Sequence, residues 1–129
     1  MNAEVQALLE KASRSLEAAR LLLTRGFYDD SVSRAYYAMF HTAEALLESK
    51  RLNVSSHRGV LSTIGAEFIR IGLLDRKHGR RLHIAFERRR DADYESRSEC
   101  DETRASETIA WAEEFLEAAR AVLDAEEEE

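Results

Sequence analysis

Residues 30–50, DSVSRAYYAMFHTAEALLESK, decide how this chain folds. Val32, Ala35, Tyr36, Tyr37, Met39, Phe40, Ala43, Leu46 and Leu47 recur at steps that suit a helix with a wide apolar stripe. A stripe of that width needs neighbours on more than one side, so the segment predicts a central helix. Upstream, from about Ala3 to Arg25, Val5, Leu8, Leu9, Ala12, Leu16, Ala19, Leu22 and Leu23 make a narrower stripe. Gly26 follows it as a residue suited to a left-handed helix stop. Phe27 and Tyr28 form a short link, and Asp29 or Asp30 is placed to cap the next helix. So short a link between two long helices predicts an antiparallel hairpin.

Downstream, Arg51–Ser56 reads as a loop, with Ser55 or Ser56 as the cap of a third helix over about His57–Arg70. Val60, Leu61, Ile64 and Phe68 are its inward residues. Gly72 lets the chain turn into a fourth helix, about Asp75–Arg90, whose clear apolar contacts are Leu82, Ala85 and Phe86. So few core residues make it the least buried helix of the set. Asp91–Glu102 holds no aliphatic run and reads as a loop. A fifth helix, about Thr103–Asp124, buries Ile109, Ala112, Leu116, Ala119 and Leu123, flanked by Trp111, Phe115 and Val122. The expected fold is all-α, an up-and-down bundle of four main helices plus one short helix. It forms one domain over residues 1–125, with a fraying acidic tail at 126–129.

Composition agrees and excludes several alternatives. The 129 residues are 44% hydrophobic and 34% charged, enough for a core and against intrinsic disorder. No proline and only five glycines disfavour turn-rich sandwiches and nucleotide-binding α/β folds. The single Cys100 excludes an internal disulfide framework. No apolar run approaches the roughly 20 residues of a membrane span, and the opening Met-Asn-Ala-Glu-Val does not read as a signal peptide. A cytoplasmic protein without membrane contact is expected. The net charge of −6 argues against general coating of nucleic acid. Residues 75–90 nevertheless hold seven basic and two acidic groups, whereas residues 91–129 hold three basic and fifteen acidic. The basic run either meets a phosphate locally or pairs with the acidic last helix.

Few motifs carry chemistry. The glycines fit no phosphate loop, and no His-Glu-x-x-His or Glu-x-x-His pattern occurs. No metal site and no cofactor are expected. Cys100 sits among Glu99, Asp101 and Glu102, a setting that disfavours a thiolate. Two strings stand out. In the first, Arg34, Tyr37, His41 and Glu44 step by three or four along the central helix. They form either a binding cleft or an interhelical or dimer-seam network, because half-buried polar groups need partners. In the second, Phe86-Glu87-Arg88-Arg89-Arg90-Asp91-Ala92-Asp93-Tyr94, guanidinium forks precede two carboxylates and a tyrosine. If some of the arginines pair with Asp91 and Asp93, others remain free for an anion, and Arg88, Arg90, Asp93 and Tyr94 are the candidate phosphate-binding residues.

Ser33–His41 (SRAYYAMFH), Ala43–Leu47 (AEALL) and Ala85–Tyr94 (AFERRRDADY), with Ala112–Leu116 (AEEFL) in the last helix, resemble the HEPN family, the higher eukaryotes and prokaryotes nucleotide-binding domain. The likeness spans about residues 3–123 and is narrower for the small single-domain prokaryotic subgroup. It implies a helical bundle that forms homodimers, often beside a minimal nucleotidyltransferase in a two-component or toxin–antitoxin pair. Nucleotide or RNA would then bind in the dimer cleft. It also implies, as the alternative activity, a metal-independent ribonuclease using an Arg-x(4–6)-His motif near the end of the fourth helix. Here no histidine follows Arg88, Arg89 or Arg90 within seven positions. Arg-to-His pairs of that spacing fall instead at Arg34 and His41, Arg51 and His57, and Arg76 and His83. No catalytic residue is assigned from the sequence.

Overall fold

The structure is a computed structural model, described over residues 1–127. Its described residues form five α-helices and no strand: α1 (Ala3–Thr24), α2 (Tyr28–Ser49), α3 (His57–Ile64), α4 (Arg76–Tyr94) and α5 (Glu102–Glu127). A π-helical turn, Gly65–Ile69, extends α3. This is the all-α bundle of four long helices and one short one that the sequence predicts.

Local chemistry sets the ends. The Asn2 side chain accepts from the Val5 amide at 2.8 Å and caps α1. Gly26, at φ +80°, stops it. The Gly26 turn is so tight that α2 begins at Tyr28, and Phe27 takes the cap position with no side-chain bond. Asp29 and Asp30 therefore do not cap. They lie in the first turn, where carboxylates favour the positive end of the helix dipole. Ser56 caps α3 by accepting from the Gly59 amide. The third helix changes to π geometry after Ile64, and Lys50 from the end of α2 donates to the Glu67 carbonyl in that turn at 2.8 Å. Asp75 caps α4, accepting from the Lys77 amide, a bond that also lowers its carboxyl pKa. Asp101 accepts from the Arg104 amide at the start of α5.

Two further boundaries differ from the expectation. The fourth helix does not end at Arg90 but runs through Asp91–Tyr94, because Asp93 finds hydrogen-bond partners on α2 and one turn back on its own helix. The last helix reaches Glu127, so the first two residues of the acidic tail are helical; Glu128 and Glu129 lie outside the described residues.

The core is built around α2. Twelve of its residues are buried, against three on α4, and α1, α4 and α5 all pack on it. Ala12 and Ala19 on α1 and Ala35, Ala38, Ala43 and Ala45 on α2 are completely or almost completely buried. Such small side chains let helix axes approach closely. Buried hydroxyls are satisfied locally: Ser31 donates to the Ala19 carbonyl and Thr42 to the Ala38 carbonyl. Leu82 and Ala85 are the apolar residues by which α4 enters the core, and it is the most sparsely buried of the long helices.

Two glycines on the third helix separate packing from propensity. A Cβ at Gly59 would stand 2.5 Å from Val54 Cγ1 and 2.9 Å from Ser56 Oγ. Gly59→Ala is expected to lower stability by about 1 kcal/mol or more in urea unfolding. A Cβ at Gly65 meets nothing within 4 Å, and the backbone there is right-handed helical. Gly65→Ala is expected to raise stability by about 0.5–1 kcal/mol in the same measurement.

Candidate functional site

Contacts between α2 and α4 run in opposite order along the two helices: Ser33 meets Asp93, Tyr37 meets Arg89 and Tyr36 meets Phe86. The helices are therefore antiparallel, and both distinctive strings of the sequence fall on one seam. Ser33 Oγ donates to Asp93 Oδ1 at 2.7 Å, and Arg89 Nη1 donates to Asp93 Oδ2 at 3.1 Å. The same guanidinium donates a longer bond to the Tyr37 hydroxyl at 3.4 Å and lies 5.5 Å from the Tyr36 and Phe86 ring centroids. Arg89 Nε is buried without a hydrogen-bond partner among the described residues.

The ridge on α2 is continuous. Arg34 lies over the Tyr37 ring at 4.9 Å, Tyr37 stacks with His41, and His41 Nδ1 bonds Glu44 Oε1 at 2.8 Å. It joins α4 through the Tyr37–Arg89 bond. Tyr36, beside it, is buried, and its hydroxyl meets His57 Nδ1 at 3.1 Å. Burial pushes the Tyr36 pKa far up, so that hydroxyl keeps its proton.

The three arginines of α4 divide by geometry. Residues two apart on a helix point about 200° apart, so Arg88 and Arg90 cannot share a face. Arg88 turns to α5, where it donates to Thr108 Oγ1 at 3.0 Å and to Glu107, and covers the Trp111 ring at 4.4 Å. It is not brought together with Arg90, Asp93 and Tyr94. Arg90 lies on the open side, 5.8 Å from the Phe86 centroid. Among the described residues it has no ion pair or side-chain hydrogen bond. With Glu87, Asp91, Tyr94 and Glu95 it lines an open cavity of about 500 Å³. Tyr94 is 76% exposed. Asp93, by contrast, has both carboxylate oxygens engaged in the seam.

Sequence reasoning did not single out Arg89, Ser33, Tyr36 or His57. The Arg89–Asp93 spacing of four was a readable signal. The meeting of His57 with Tyr36 and Phe86 had none, since it joins residues that are remote along the chain. Cys100 is half-buried, with its thiol donating to the Tyr28 carbonyl at 3.4 Å. Burial and the Asp29 carboxylate push the thiol up to about 11, too high for a nucleophile at neutral pH. No group of three or more potential metal ligands occurs among the described residues.

An antiparallel α2–α4 seam of arginine, tyrosine and aspartate within a five-helix bundle defines a class of small helical domains with a polar groove along one helix. The sequence profile of the HEPN domain matches residues 5–122. This chain belongs to the HEPN family. It is 38% identical over 120 residues to "Putative toxin MJ0605" of Methanocaldococcus jannaschii, covering 93% of this chain and 89% of that one. It is 34% identical over 114 residues to a UPF0332 protein of Thermotoga maritima, with 88% and 86% covered. TT1696 from Thermus thermophilus shares the fold at a TM-score of 0.79 and 16% identity, over 95% of this chain and 99% of that one.

The seam predicts unequal costs for neighbouring residues. Asp93→Ala strips the carboxylate from Arg89 and the acceptor from Ser33, and is expected to lower stability by about 1–3 kcal/mol. Tyr94→Ala, next in sequence but exposed, is expected to stay within about 0.5 kcal/mol of wild type. Urea unfolding midpoints compare the two.

Proposed function

We propose that this HEPN protein binds the phosphate of a nucleotide or of RNA in the groove along the exposed face of α4. In this reading it acts in the cytoplasm as a homodimer whose two grooves form one cleft, with a minimal nucleotidyltransferase as its partner in a two-component system. The observation that carries the reading is the state of Arg90. A guanidinium recognises phosphate when no carboxylate has already neutralised it. Arg88 has Glu107 and Arg89 has Asp93, whereas Arg90 lines an open cavity with no ion pair among the described residues. The exposed Tyr94 ring beside it offers a face on which a base can stack.

The remaining lining refines the ligand class. Glu87, Asp91 and Glu95 repel a bare phosphate, but they accept hydrogen bonds from ribose hydroxyls and base amino groups. A whole nucleotide suits the groove better than inorganic phosphate. A second protomer would bring a second Arg90 and strengthen the cationic side of the cleft. Asp93 and the Arg34–Tyr37–His41–Glu44 ridge serve in this reading as the support that sets α4 in place.

A second reading is a metal-independent ribonuclease toxin, favoured by the names of two relatives from Methanocaldococcus jannaschii, both "Putative toxin". His83 lies two turns before Arg90 on the same helical face, with Glu87 Oε1 3.6 Å from its Nε2. It is the histidine best placed to move a proton there.

Titration calorimetry with ATP and with a short single-stranded RNA tests both. Arg90→Ala is expected to weaken binding about tenfold or more, while Arg88→Ala leaves the affinity unchanged and lowers the melting temperature. Equal affinity of wild type and Arg90→Ala would remove the groove as the binding site. RNA cleavage and growth arrest on expression, both lost in His83→Ala, would favour the ribonuclease.

A further inference from the structure

His57 opens α3 and lies almost flat on Phe86, with centroids 3.8 Å apart and planes 11° apart. His83 packs beside it at 5.8 Å. The protonated Tyr36 hydroxyl donates to Nδ1, which leaves the neutral ring's proton on Nε2, a buried atom with no partner among the described residues. The groups around this imidazole come from two elements. Helix α2 supplies Tyr36; α4 supplies Phe86 and two cationic or potentially cationic neighbours, His83 and Arg89. On its own helix the nearest charged residue, Arg58, is exposed and also basic. Glu87, the acid of this cluster, meets His83 instead. The site therefore fits a neutral ring and offers an imidazolium no counter-charge. Burial, then His83 and Arg89, hold the His57 pKa below its ordinary value.

We propose that His57 is a proton-operated latch on the start of α3. Neutral, it clamps the first helical turn against Phe86 and Tyr36. Protonated, it leaves that floor, the first turn opens with the preceding loop, and the two rings beside Arg89 are uncovered. The rest of α3 stays docked, because Val60 and Ile64 are fully buried. The latch goes beyond the ligand reading above and does not depend on it.

The sign follows from the neutral ring being the docked form. Latching is complete above the ordinary histidine value of about 6.5 and weakens as pH falls from there through the lower value of the docked ring. Nuclear magnetic resonance on the full chain between pH 8 and pH 5 tests this through the His57 ring shifts and the exchange of the α3 amides. A His57 midpoint below about 6.5 is expected. Protection of the Gly59 and Val60 amides, corrected for intrinsic exchange, should fall by up to about tenfold for each pH unit between about 6.5 and that midpoint, and level off below it. His57→Phe keeps a ring on Phe86 and takes no proton, so its protection should not vary with pH. If that variant does not fold, Tyr36→Phe serves instead; it removes the donor to Nδ1 and should move the midpoint up. A midpoint at or above 6.5 in wild type, the same pH-dependent opening in His57→Phe, or an unmoved midpoint in Tyr36→Phe would overturn the latch.

Discussion

A helix enclosed by its neighbours cannot leave polar side chains unpartnered, and α2 carries a ridge of them. Along the ridge they partner one another, and α4 supplies the contacts across the seam. Arg89 reaches Tyr37, Asp93 joins Arg89 to Ser33, and Tyr36 packs against Phe86. These contacts do what the sparse apolar surface of α4 cannot. Among the described residues only His78, Leu82 and Ala85 of α4 are buried, with Phe86 packed against the core, so directional bonds add to a small buried area in setting its position along α2. Everything the molecule presents along α4, including Arg90 and Tyr94, follows from that register.

The uneven charge of the chain resolves along the same helix. One side of α4 faces the acidic α5, where Lys77 and Arg81 meet Glu114 and Arg88 meets Glu107, with Trp111 between the two arginines. The guanidinium of Arg81 lowers the Glu114 pKa. A second side carries Arg89 into the α2 seam. The third carries Arg90 and Tyr94 along an open groove. Lys77, Arg81, Arg88 and Arg89 of the basic run thus pair within the fold, whereas Arg90 lines the open cavity with no ion pair among the described residues.

Helix periodicity made four of the five helices readable nearly to their ends, because a buried stripe of 3.6-residue period is written in the order of apolar residues. The serine cap of α3, to within Ser55 or Ser56, and the left-handed stop at Gly26 were also legible, since each acts through its own backbone neighbourhood. The far end of α4 was not. Asp91–Tyr94 holds no aliphatic run and reads as a loop until Ser33, sixty residues earlier, supplies the acceptor's partner. The role of each arginine was hidden for a related reason. Three identical side chains in a row differ only in the direction they leave the helix, and only the packing of α4 says which direction meets α5, which meets α2 and which meets open space.

By itself the amino-acid order determined the fold class, the count and approximate span of the helices, the centrality of α2 and the family likeness. All but the last rest on local propensity and on the period of apolar residues; the likeness rests on the particular residues of the strings at 33–41 and 85–94. The tertiary structure alone decided that Arg89 is the arginine of the seam and that Arg90 is the one left in the groove. It also set Arg88 against Trp111 and laid His57 on Phe86. These are relations between side chains far apart in sequence, fixed by the antiparallel register of α2 and α4, and no local pattern encodes a register that hydrogen bonds across two helices select.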